Sequence, residues 1–171
     1  MVLALKAVTL LSLIIIAYFD FKERQFPWWA IALCFLCVVS LGVIQLEISV
    51  FLQTSIVNVG FVLVQLSLLV LWLLVKQRRL INIVDNYLGL GDILFFVTTC
   101  FAFSFFNFIF YHFISLFITL IVALLMKRAN KEVEQEIPAA GILSVIFGLI
   151  LLVGTIAKFD FYNDNWVIAW M

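Results

Sequence analysis

The sequence predicts an all-α polytopic membrane protein of about six transmembrane helices, with both termini on the extracytoplasmic side. Three observations carry this. The 171 residues are 67% hydrophobic, with a mean hydropathy of +1.27. Only 12% are charged, too little polar surface to keep a domain of this size in water. The basic residues also gather in alternate connections between apolar runs. A hydrocarbon core needs about 20 apolar residues per helix, so about six helices nearly fill the chain. The expectation is one transmembrane domain over residues 1–171, with no separate soluble domain. Net charge is zero and there is no basic tail, so the expected partner is the lipid bilayer and not nucleic acid.

The first apolar run, Val2–Phe19, carries one early Lys6. No small-x-small cleavage site precedes Asp20, so the run reads as a retained first helix and not as a removable leader. The second helix runs from Pro27 to about Leu46 and the third over about Ser55–Val75. Asp92 to Met126 is about 35 residues, more than tilt can absorb, which predicts two helices broken near Ser104–Asn107. The sixth covers Ala139–Ala157. Pro27 and Pro138 each open a helix, where a missing N–H costs nothing. Ala140, Ser144 and Gly148 recur every four residues, a small-residue stripe suited to close helix packing.

Orientation follows from the basic residues of short loops. Lys22, Arg24, Lys76, Arg78, Arg79, Lys127, Arg128 and Lys131 fall on one side, eight of the ten. Lys6 and Lys158 fall on the other, with Glu47, Asp160 and Asp164. The first side is therefore expected to be cytoplasmic, and it is also where Asp20 and Asp92 lie.

An acidic residue at the edge of a membrane helix is costly and marks a functional candidate. Asp92 closes the run Gly89-Leu90-Gly91-Asp92 at the start of the fourth helix, and Asp20 ends the first, seven residues before Pro27. Gly89 and Gly91 are expected to permit φ > 0, for a sharp turn or a substrate strand lying close by. Two neighbouring carboxylates do not both ionise readily, so one keeps a proton. The ionised one can take a proton from water while the other polarises a peptide carbonyl, which is hydrolysis without metal or cofactor. A helix N-terminus favours negative charge and a C-terminus disfavours it, so Asp92 is the expected base and Asp20 the expected proton holder. Taken singly, Asp20 also fits a helix end paired with Lys22 or Arg24, and Asp92 also fits a cap of helix four.

These residues resemble the type IV prepilin peptidases of bacteria. Asp20 with Pro27 is similar to that family's first motif, and Gly89-Leu90-Gly91-Asp92 to its second. Ile137-Pro138, opening the last helix after a charged loop, is similar to a third feature. The likeness extends over the whole chain. It implies an aspartyl endopeptidase of the bacterial cytoplasmic membrane that removes the leader of prepilin-like or pseudopilin substrates, with Asp20 and Asp92 catalytic and Gly89, Gly91 and Pro27 shaping the motifs. Trp28 stands where the family commonly has Asn or Asp, and Leu94 where it commonly has Lys. The cysteine-rich insert of many members is absent, so methyltransferase activity is not expected. Two other readings share part of the pattern. A presenilin-like or signal-peptide-peptidase-like protease also uses Gly-x-Gly-Asp, and Tyr18 before Asp20 loosely echoes its Tyr-Asp, but Pro138-Ala139-Ala140 falls short of its Pro-Ala-Leu. An inactive or repurposed homologue would be a membrane scaffold or transporter.

Asp85, beside Asn86, and Glu132, Glu134 and Glu136 are candidates for contact with a basic leader, though solvated loops are the better account of them. Cys34 and Cys37 spell C-x-x-C inside an apolar helix and read as packing, as does Cys100. His112 stands alone in its helix. Trp166 and Trp170 read as interfacial anchors.

Overall fold

The computed structural model describes residues 1–25, 27–78, 89–129 and 138–164. Among these residues every regular element is a helix: α1 (Val2–Glu23), α2 (Trp28–Gln45), α3 (Ile48–Gln77), α4 (Leu90–Cys100), α5 (Phe105–Ala129) and α6 (Ala139–Ala157). Five of the six are long and apolar enough to cross a membrane. The exception is α4, whose 11 residues reach only about 16 Å at 1.5 Å per residue. Of the about six helices expected, six are present among the described residues, five with the length and composition to span. α4 runs between the same two ends of the bundle but is short, with Asp92 near the start of α6 and Ser104 bonded to Phe161 beyond its end. The break falls at 101–104, slightly before the Ser104–Asn107 expected, and α3 begins seven residues earlier than Ser55.

The core of the bundle is α1, with α2 and α6 packed along it. Both neighbours run antiparallel to it. Ser12 and Thr9 of α1 meet Cys34 and Cys37 of α2 in that order, and Asp20 and Leu10 meet Gly141 and Gly148 of α6. Lipid offers no hydrophobic gain for helix association, so close approach of small residues carries the packing. That is how the α6 stripe is used: Gly148 faces Leu10 of α1, and Ser144 is buried. Cys34, Cys37 and Cys100 are buried free thiols in this packing.

A short helix ending inside the bundle leaves carbonyls that lipid cannot satisfy. Asn58, fully buried on α3, meets this need. Its Nδ2 donates to the Cys100 carbonyl at 2.9 Å and to the Phe103 carbonyl at 3.0 Å. The last turn of α4 also tightens, with Phe101 N–H to Thr98 O and Ala102 N–H to Thr99 O. The chain after α6 folds back over the same end of the bundle. Ser104 N–H donates to Phe161 O at 2.9 Å, and Ser104 Oγ donates to Asp164 at 2.5 Å. The Phe106 and Asn107 amides, in the first turn of α5, donate to the same carboxylate at 3.4 Å. Phe161 lies over Gly154, where a Cβ would collide with its ring. His112 is buried in α5, its Nε2 2.6 Å from Gln65 Oε1 and its ring stacked on Phe108.

Replacing Asn58 by Ala strips the only side-chain donors that the described residues place on these two carbonyls. The expected loss is about 1–3 kcal/mol of stability, measured by detergent-induced unfolding in mixed micelles. An unchanged unfolding curve would mean that α4 ends without help from α3.

Candidate active site

Asp20 is not the last residue of its helix. α1 continues through Glu23 and ends on Arg24, which takes a left-handed conformation (φ 56°) and donates its N–H to Asp20 O. Asp20 therefore sits one turn inside α1, and its side chain is buried against α6. Its Oδ2 accepts a hydrogen bond of 2.5 Å from the Gly141 amide. Lys22 instead lies 4.0 Å from Glu23 on the surface, an exposed pair of little energetic weight.

Asp92 lies in the first turn of α4, outside the five spanning helices, three residues after the N-cap Gly89. From there its carboxylate reaches back to the Gly89 amide, as an acidic residue at this helix position often does. The amide of Ala140 also lies near enough to favour its charged form. Burial first and the Asp20 charge second push Asp92 up to about 6, while the Gly89 and Ala140 amides pull it back. The two aspartates are thus near enough to feel each other.

Neither motif glycine needs its expected freedom of φ. Gly89 caps α4 with φ −64° and ψ 144°, Gly91 lies within the helix, and no described glycine has positive φ. Gly89 matters as an amide donor and N-cap. Pro27 is extended and serves as the N-cap of α2, with Ala30 N–H bonded to its carbonyl. Trp28 and Leu94, the two departures from the family pattern, both point outward and are exposed. Tyr18 is exposed as well, with the Lys22 ammonium 5.4 Å from its ring centre. Asp85, Asn86, Glu132, Glu134, Glu136, Trp166 and Trp170 lie outside the described residues.

The sequence alone did not reveal what joins the two aspartates. Ala139, Ala140 and Gly141 open α6 behind the N-cap Pro138, so their amides have no partner within the helix. The Gly141 amide bonds to Asp20, and the Ala140 amide acts on the charge of Asp92. Pro138 signalled the helix start, but no local pattern says which groups that start faces. The positive end of α6 lies near both carboxylates and adds to the dipole contrast that made Asp92 the expected base and Asp20 the expected proton holder without favouring either.

Removing the charge of Asp20 with Asp20→Asn is expected to move the Asp92 midpoint below about 6. Burial, the larger cause, keeps it above the ordinary carboxylate value. Infrared titration of the protonated carboxyl band reads this directly; an unmoved midpoint would show that the two groups do not interact.

Searches of protein-family models, of curated proteins and of solved structures found no match to this chain.

Proposed function

We propose that the chain is a membrane aspartyl endopeptidase that cleaves the leader of type IV prepilin-like or pseudopilin substrates at the cytoplasmic face of a bacterial membrane. The observation that carries this reading is that Asp20 and Asp92, from helices far apart in sequence, meet at the start of α6: Asp20 is bonded to the Gly141 amide, and Asp92 lies near enough to feel both the Asp20 charge and the Ala140 amide. The motif resemblance supplies the substrate class. In the same reading both termini face the extracytoplasmic side, and Lys22, Arg24, Lys76, Arg78, Lys127 and Arg128 lie at the cytoplasmic end with the carboxylates.

The reaction needs one proton shared by the pair. The ionised carboxylate accepts a proton from water as the water oxygen bonds to the scissile carbonyl carbon. The protonated carboxyl gives its proton to the carbonyl oxygen, forming a tetrahedral diol. On collapse, the C–N bond breaks, the amide nitrogen leaves with the proton first taken from water, and a diol hydroxyl returns its proton to the pair. The products are a leader with a new carboxylate and a mature chain with a free amine. Water must reach the carboxylates. Asp20 lies within the last turn of α1 and Asp92 within the first turn of α4, so both stand toward one end of the bundle and away from its middle.

The test is cleavage of a panel of leader peptides, each joined to its own transmembrane helix, by purified protein in lipid. Asp20→Asn and Asp92→Asn are each expected to lower the rate at least about 100-fold. The wild-type rate is expected to rise with pH through about 6 as Asp92 loses its proton, with the limb belonging to the pair as a unit. A folded wild type that leaves every peptide intact would point to an inactive homologue serving as scaffold or transporter. Cleavage that survives either substitution would overturn the two-carboxylate mechanism.

A further inference from the structure

α6 holds two glycines that face α1 seven residues apart, and they are not equivalent. At Gly148 an added Cβ would meet Leu10 Cδ2 at 3.8 Å, an ordinary contact. At Gly141 it would lie 2.9 Å from Asp20 Oδ2, 3.3 Å from Asp20 Cβ and 3.3 Å from Phe21 Cε2. Glycine is disfavoured inside a helix relative to alanine, and Gly141 does not have positive φ. Backbone conformation therefore gives no reason for glycine here. Space does: the Asp20 carboxyl occupies the volume that a side chain would fill.

We propose that Gly141 is a positioning residue for the aspartate pair, its amide holding Asp20 and its bare Cα making the room that the Asp20 carboxyl needs. Ala140, the preceding residue, presents its amide near enough to Asp92 to favour the charged form. Successive amides in one turn are fixed relative to each other by the helix, so the separation of the two carboxyls is set by α6 and not by α1 or α4 alone. A methyl group at position 141 has few ways out. α1 and α6 are packed along their length, so the carboxyl moves before the helices part. Ser144, one turn on, sends its hydroxyl back to the Gly141 carbonyl at 2.8 Å and ties this turn down. The inference rests on the reading of Asp20 and Asp92 as the working pair.

Three variants test it in lipid: Gly141→Ala, Gly148→Ala as the control, and Ala140→Pro. Proline removes one N–H from the first turn, where no helical bond is lost. Each is measured by unfolding midpoint, by the pH profile of leader-peptide cleavage and by infrared carboxyl titration. Gly148→Ala is expected to match the wild type. Gly141→Ala is expected to unfold no earlier than the wild type, cleave at least tenfold more slowly and show a displaced carboxyl titration. Ala140→Pro is expected to move the acid limb to higher pH, because Asp92 loses a donor that favours its charged form. A Gly141→Ala protein with wild-type rate and titration would overturn the proposal. If that variant does not fold, an Ala140→Pro protein with an unchanged titration overturns it instead. If the wild type cleaves no peptide, the peptidase reading fails on its own, and the carboxyl titrations still decide whether α6 positions the pair.

Discussion

Buried carboxylates and a helix start buried among other helices are each expensive, and here each relieves the other. The first amides of α6 have no helical acceptors, and Asp20 is buried against them. The Gly141 amide is satisfied by Asp20, and the positive end of the helix dipole lies beside the acid pair. The close packing of α1 on α6, the glycine at 141 and the placement of α4 all follow from keeping that junction closed. Moving any one of the three helices by an ångström would break a bond to a charged group, which is worth more than an ordinary neutral one.

Much of this arrangement was legible in the sequence. Apolar run length located α1, α2 and α6 closely, because a bilayer imposes a length and proline imposes a start. Asp20 and Asp92 stood out because a carboxylate beside lipid needs a reason. The parts that were not legible depend on contacts distant in sequence. Asp20 looked like a helix end, yet α1 runs on to Glu23 and closes on a left-handed Arg24, a conformation that the residue type does not announce. Gly89 and Gly91 suggested unusual φ angles, yet both are conformationally ordinary. Gly141 drew no attention as part of a small-residue helix face, and only its neighbour across the helix interface gives it meaning.

The shortness of α4 was likewise hidden. Its hydropathy merges into that of α5, and the break is created by Asn58 and by the chain beyond α6, both far away in sequence. Asn58 looks like one polar residue lost in a long apolar helix. In the fold it provides two donors at the depth where the backbone of α4 turns, the role that solvent would play for a loop in water.

The Asp164 contact to Ser104 spans 60 residues. A ribosome must therefore deliver all of α5 and α6 before the first turn of α5 acquires its capping carboxylate. Until then the corner between α4 and α5 lacks this carboxylate, and α4 can still change its depth. Once Asp164 arrives and Phe161 settles over Gly154, that corner is latched. The first turn of α4, with Asp92, is then committed to one level. Assembly of the acid pair is in this way deferred until Asp164 has been made, and a chain stopped before that point does not yet hold its two carboxylates at a fixed level.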